Sequence, residues 1–530
     1  MTLALDTAPP EATSPVRSRV APDAGPRRPS LAFSGWDVLA LALLAALWAA
    51  LFLVRYNALP MQLWDESRNS NNALEMALHG RWLVPTYLGA VDHWNTKPPL
   101  LIWTMAAGLR LGLPPLVALR LTSWLAAAAT VGAVWGVLRF AMRDRLAALA
   151  GGMLLLSAVI YIGPHAARTG DYDALESAFL LGYVLCFWQA FEGGRTRWLF
   201  AAAALMALGV LTKGVAALLP LPGLGLYALS RPRAFGGFLR DARTWAAAAL
   251  FLAVTGGYYL TREAYDPGYL SAVADNELGG RFLKITENHR GSWHFYLRTL
   301  LQSAEPCAAL AGLALLPLFG RDLRRRSLVL ACGLAAASLL VVLSASRSKM
   351  EWYATPLVPL LSLITGLGLT DALRGLQRRW PGWAGAGRAV VAAVLAGGAL
   401  CGVWYAQASP SRDAGEFGGA HLRYGEFLAR IRAEGPRLGV GARLTVLDGG
   451  FYNNAGFVAY NPMLKFYADL SGQRGLPVTV VHDPDELDAG DAIASCDPTA
   501  LAALGRSHAL QPLMSDRGCL LARIGADRPE

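Results

Sequence analysis

The chain has 530 residues, 54% of them hydrophobic and only 16% charged, with a formal net charge of +10. Soluble domains carry about 25% charged residues, so this composition excludes an ordinary soluble globular protein. The positive balance does not point to nucleic acid either, because the arginines gather in short loops between apolar runs and form no contiguous basic surface with interleaved aromatics.

Residues 1–34 are rich in Pro, Ala and Arg without apolar periodicity and read as a disordered cytoplasmic tail. The run Trp36–Val54 is too long for the core of a signal peptide and has no small-residue cleavage site, so it is predicted to be the first membrane helix. Further spans are predicted near 117–140, 146–163, 174–191, 198–212, 214–230, 244–261, 295–319, 327–345, 353–370 and 388–406. The segment 100–112 reads as a short or re-entrant helix, which gives eleven to thirteen helices in all. Clusters of arginine at 139–145, 195–197, 231–243, 321–326 and 374–388 then fall on the same side as the N-terminal tail, the cytoplasmic side by the positive-inside rule.

The opposite, periplasmic side receives the loops 57–100, 163–173, 262–293 and 345–352, and everything after residue 406. Residues 407–530 change character. Strand-like runs at 443–447 and 476–481 alternate with a helical stretch at 426–434, separated by Asp-Gly-Gly and Asp-Pro-Asp turns. This is predicted to be a small extracytoplasmic α/β domain, with 35–406 as the membrane domain. Cys186, Cys307, Cys332 and Cys401 lie in or beside spans and read as small core residues. Cys496 and Cys519 can pair if the tail is periplasmic.

The 57–100 loop holds an acidic pair, cations and aromatics: Asp65, Glu66, Arg68, Trp94 and Lys97. Sugar transfer from a lipid phosphate needs a carboxylate at the acceptor and cations where charge builds on the leaving phosphate. A solvated acidic turn or a helix cap explains Asp65 equally well from sequence alone. Lys97 admits a second reading as an interfacial lysine, against which stands the rigid Lys-Pro-Pro string that follows it. Downstream, Asp171 and Asp173 open a helix in Arg168-Thr-Gly-Asp-Tyr-Asp. Lys213 sits in Leu-Thr-Lys-Gly, and Lys349 and Tyr353 sit in Ser-Lys-Met-Glu-Trp-Tyr.

These motifs together resemble the bacterial relatives of the protein O-mannosyltransferases and of the lipid A aminoarabinose transferase, membrane enzymes of GT-C architecture. The matching residues in the loop are Asp65, Glu66, Arg68, Gly80, Trp82, Pro85, Lys97 and Pro98. The resemblance covers about 36–406. It implies a glycosyltransferase that moves a sugar from a polyprenyl-phosphate donor, on the periplasmic face of the bacterial inner membrane, by inverting displacement. The implied acceptor is lipid A or another envelope glycolipid, with hexosyl transfer to protein or polysaccharide as the alternative and a lipid-sugar transporter as the remoter one.

The implied roles are catalysis for Asp65, Asp173 and Glu66, and donor-phosphate binding for Arg68, Lys97, Lys349 and Arg281. Trp94, Asp171, His289, Tyr353 and Lys213 would bind substrate. In the aminoarabinose transferase an acid before the loop lysine helps a histidine hold a metal ion. Here that residue is Thr96, and no other His/Asp/Glu cluster at ligand spacing stands in for it. No cofactor or metal is therefore assigned, a divalent ion being the lesser alternative.

Overall fold

The computed structural model describes residues 32–527 except 64, 195, 284–289, 305, 409–418, 420, 441–442 and 451–459. The predicted tail thus lies almost wholly outside the described residues. The apolar runs fold as helices because a bilayer offers no water to the backbone, so each span must satisfy its own hydrogen bonds. Among the described residues, seven helices are long and apolar enough to cross a membrane: Gly35–Phe52, Pro115–Ala141, Tyr172–Gly193, Thr196–Leu218, Leu323–Ala345, Leu357–Arg379 and Pro381–Ala408.

The span predicted at 244–261 is one helix, Ala242–Tyr265, while those at 146–163, 214–230 and 295–319 are broken, and proline explains two of the breaks. The run at 295–319 splits into helix Phe295–Ser303 and a 3-10 segment Ala311–Phe319, with Pro306 between them and Pro317 inside the second. The run at 214–230 begins as a 3-10 turn, Gly214–Leu218, and restarts at Leu221 after Pro220. Proline removes a backbone donor and clashes with the preceding turn. The short segment predicted at 100–112 is helix Leu100–Arg110, eleven residues long. Helices approach closely at small residues: a Cβ on Gly368 would lie 1.8 Å from the Leu313 carbonyl oxygen, and one on Gly223 2.0 Å from that of Leu334.

One helix breaks the apolar rule. Asp65–His79 is a polar helix whose Glu66 to Asn72 and Glu75 are nevertheless buried. It packs on Leu100–Arg110 on one side and on helix Pro462–Gln473 of the C-terminal region on the other. Asn71 Nδ2 donates to the Pro462 carbonyl at 2.7 Å, and Lys465 Nζ lies 3.5 Å from Glu75 Oε1.

Besides a two-stranded ribbon, β1 (Thr86–Tyr87) with β2 (Ala90–Val91), the C-terminal part carries a five-stranded sheet. Its strands are β3 (Leu444–Leu447), β4 (Val478–Val481), β5 (Ala492–Ser495), β6 (His508–Asp516) and β7 (Cys519–Asp527), in the order β4-β3-β5-β7-β6. β3 pairs in parallel with β4 and β5, while β7 runs antiparallel to β5 and β6. Cys496, just past β5, forms a disulfide with Cys519 at the start of β7. Of the four free cysteines Cys307 and Cys332 are buried, whereas Cys401 is exposed on its helix and is no core residue.

Candidate active site

The polar helix survives burial because its charges are paired. Glu66, fully buried, accepts from Arg120 Nε (2.7 Å) and Nη2 (2.9 Å), from the Gly170 amide (2.8 Å) and from the Gln62 amide (2.7 Å). Arg120 also donates to the carbonyls of Leu59 (2.8 Å) and Pro60 (2.9 Å). This clamp ties the first loop, a membrane helix and the 163–171 loop together, and it leaves Glu66 no face for a substrate. Arg68 is likewise engaged: Nε and Nη2 each donate to Asp92 at 2.8 Å, and its guanidinium lies 3.5 Å from the Tyr87 ring. Burial works against the Arg68 charge, but hydrogen bonding and attraction to Asp92 outweigh it and hold the guanidinium above its usual value. Trp94, half-buried, sits 5.4 Å from that guanidinium and donates its amide to Asp92 Oδ1.

Asp65 is different. It is 30% exposed and faces His165 Nδ1 at 3.7 Å, while Asp171 Oδ2 lies 3.8 Å from the same nitrogen. His165 sits at φ +59°, a left-handed conformation disfavoured for a residue with a Cβ, and its ring stacks on Trp352 at 4.0 Å. Asp171 accepts from the Thr169 hydroxyl at 2.6 Å. Burial pushes its carboxyl well above the usual range, and the charges of Asp65 and Glu66 push it further.

Past Tyr172 in the chain, Asp173 and Glu176 belong to a second charged group. Lys213 Nζ contacts Asp173 Oδ1 at 2.6 Å and Glu176 Oε2 at 3.0 Å, and lies 5.1 Å from the Tyr353 ring. Lys97 Nζ is 5.3 Å from the Tyr172 ring. Lys97, Lys213, Glu176, Glu277 and Tyr353 line a cavity of about 240 Å³ that continues onto Leu219, Leu339, Val342 and Leu343. Its lining is part charged and part apolar.

Lys349 is placed elsewhere. Its ammonium donates to the carbonyls of Leu343 (3.4 Å), Ser344 (2.7 Å) and Ser346 (2.5 Å), closing the end of the Leu323–Ala345 helix. Burial draws this ammonium below its usual value. The side chain of Arg281 and all of His289 lie outside the described residues.

The metal position implied by the resemblance does not fit, since Thr96 offers a hydroxyl that donates to Glu277 Oε1 at 3.3 Å. The expectation that no other cluster exists is corrected by the fold: among the described residues, ligand atoms of Asp65, His165 and Asp171 lie within 4.8 Å of one another. Asp65 lies a hundred positions before His165, so spacing could not reveal the cluster. Sequence reasoning also missed Asp92, Arg120, Glu176 and the Asn69–Asn95–Tyr172 ladder, whose bonds run from 2.9 to 3.2 Å. An arginine inside an apolar helix is itself a signal that a buried acid waits for it, and Arg120 carried that signal.

A family model described as dolichyl-phosphate-mannose-protein mannosyltransferase matches residues 96–258. An undecaprenyl phosphate-alpha-4-amino-4-deoxy-L-arabinose arabinosyl transferase of Pseudomonas fluorescens strain Pf-5 is 26% identical over 350 residues, 64% of this chain and 58% of that protein. Its counterpart in Pseudomonas aeruginosa strain UCBPP-PA14 is 27% identical over 350 residues, 64% of this chain and 60% of that one. The chain therefore spans about three fifths of the length of the curated relatives it matches. ArnT from Cupriavidus metallidurans bound to undecaprenyl phosphate superposes with a TM-score of 0.64 at 19% identity, over 93% of this chain and 98% of that one. The apo oligosaccharyltransferase of Archaeoglobus fulgidus gives 0.51 at 12% identity, over 83% and 64%. With its helical membrane part, its polar first-loop helix and its C-terminal sheet, the chain is a multi-pass membrane protein with the GT-C fold of these solved structures.

Proposed function

We propose that this protein is a glycosyltransferase that takes a sugar from a polyprenyl-phosphate donor and passes it to an envelope glycolipid, with lipid A as the first candidate, on the periplasmic face of a bacterial inner membrane. The observation that carries the reading is the cavity between Lys97 and Lys213. Lys97 and Lys213, with Glu176 and Glu277, line a slot whose remaining wall includes Leu219, Leu339, Val342 and Leu343, which suits a phosphate carried on a hydrocarbon chain. Asp65, partly open and facing His165 rather than lining the slot, suits the acceptor side.

In the reaction the bond from the anomeric carbon to the phosphate oxygen breaks, and its electron pair stays on the phosphate. Lys97 and Lys213 offset that charge, with Asp173 and Glu176 fixing where Lys213 points. The acceptor oxygen bonds to the anomeric carbon from the opposite face, which inverts it. If the acceptor is a hydroxyl, its proton passes to Asp65. If it is a phosphate, it is already ionised, and Asp65 with His165 orients it. Orientation towards the periplasm is supported by the arginine clusters on the far side and by the Cys496–Cys519 disulfide, a bond that persists in oxidising compartments. The match to a mannosyltransferase family model favours a second reading, hexosyl transfer to protein or polysaccharide.

The test is transfer by purified protein in liposomes. A panel of polyprenyl-phosphate sugars is offered with lipid A, membrane glycolipid extract or peptide, with and without chelator. Transfer from one donor, lost in folded Asp65→Asn and Lys97→Ala, is expected. Full activity in both variants would overturn the site, and transfer to peptide alone would select the second reading.

A further inference from the structure

A second cavity, of about 1260 Å³, lies at the far end of the helices from this site. Helix Tyr172–Gly193 carries Asp173 in its first turn and Glu192 in its last. At 1.5 Å per residue these lie about 29 Å apart, close to the ~30 Å thickness of a bilayer's hydrocarbon core. The cavity is therefore at the opposite membrane interface.

Its polar wall is Arg231, Arg324 and Arg326 with Gln189, against a single acid, Glu192. Glu192 is already shared: it accepts from the Tyr227 hydroxyl and lies 3.3 Å from Arg231. The buried Arg231 Nη1 still has no aligned hydrogen-bond acceptor. Arg324 rests on the Trp188 ring at 5.6 Å, and among the described residues neither Arg324 nor Arg326 meets an acid at ion-pair distance. The remaining wall is apolar and includes Val137, Leu318 and Leu330. It is bordered by a π-helical turn, Val137–Ala141, at the end of the Pro115–Gly136 helix.

We propose that this cavity holds an anionic glycerophospholipid of the inner leaflet, its phosphodiester on the three guanidinium groups and an acyl chain along the apolar wall. Arginine donates in a planar fork that matches phosphate oxygens, and basic pockets between membrane helices at this interface favour anionic head groups. A zwitterionic lipid would bring its own ammonium against the arginines. The site is independent of the transfer reaction and stands or falls separately from it.

The experiment uses the full chain in a neutral maltoside detergent, dosed with phosphatidylglycerol or phosphatidylcholine. It reads the thermal midpoint and the lipid retained in native mass spectrometry. Phosphatidylglycerol should raise the midpoint and stay bound, while phosphatidylcholine should do neither. The double variant Arg324→Gln/Arg326→Gln should weaken phosphatidylglycerol binding by roughly thirtyfold, and Arg324→Lys/Arg326→Lys should keep most of it.

Gly136 lines the cavity, and a Cβ added there meets nothing within 4 Å. Gly136→Phe should therefore fill the chain's place, removing retention without touching a charge, and it keeps the test decisive if the glutamine pair does not fold. Equal retention of the two lipids, or phosphatidylglycerol retention unchanged in either a folded glutamine pair or Gly136→Phe, overturns the proposal.

Discussion

Asp144, Arg325, Asp371 and Arg374 sit at one end of the bundle, and Asp65, His165 and Asp171 sit at the other. In the first group every charge is answered. Arg325 reaches Asp144 at 2.6 Å and Asp371 at 2.7 Å, Arg374 reaches the same two acids at 2.7 and 3.0 Å, and the Thr370 hydroxyl adds a bond to Asp144 at 2.9 Å. In the second group the ring nitrogen stands 3.7 and 3.8 Å from two carboxylates, too far for a hydrogen bond. A closed network fixes helices. An open one stores unspent binding capacity, and the difference locates the site better than charge count does.

The comparison predicts opposite phenotypes. Asp65→Asn should cut transfer by about 10²- to 10⁴-fold, the range for losing a positioned acid or base, with the thermal midpoint little changed. Asp144→Asn should do the reverse, costing about 3 kcal/mol of stability because two arginines lose their shared acid, with turnover per folded molecule retained. An Asp65→Asn protein that transfers normally, or an Asp144→Asn protein as stable as the native one, would erase the distinction.

A smaller effect sharpens it within the site itself. Glu66 was read from sequence as catalytic, but its four donors make it a clamp. Glu66→Gln should cost about 2 kcal/mol of stability, read as a lower denaturation midpoint, and folded protein should keep its donor KM. A raised KM with unchanged stability would return Glu66 to the chemistry.

Much of the membrane part is legible because length and apolarity alone decide it, and the positive arginine clusters order its ends. The breaks near Pro220 and Pro306 were visible as prolines yet read as continuous spans, since hydropathy averages over them. Site residues divide by the same logic. Asp65, Lys97, Asp173 and Lys213 belong to local motifs and were nameable in advance. Arg120 with Glu66, or His165 with Asp65, are partners only through tertiary packing, and the pairing of Arg68 with Asp92 depends on how the 57–100 loop folds back on its own helix. Lys349 shows the limit most plainly: its motif suggests a phosphate ligand, while its geometry answers the carbonyls of its own helix end.

The smallest predicted effect concerns pH. Asp171 faces Asp65, Glu66 and Asp173 from neighbouring elements, and His165 and the Thr169 hydroxyl from its own loop. Burial and the neighbouring acids raise its folded pKa above the unfolded value near 3.8, so folding favours the neutral carboxyl. The stability this provides is fully present below pH ~3.8 and is lost as pH rises through the folded value. Asp171→Asn stays neutral throughout. In chelator-treated buffer its thermal midpoint should match the native protein's near pH 4 and exceed it increasingly towards pH 8. A gap that stayed constant, or that favoured the native protein at high pH, would mean that the Asp171 charge is answered in the folded state after all. The open group would then be another closed network.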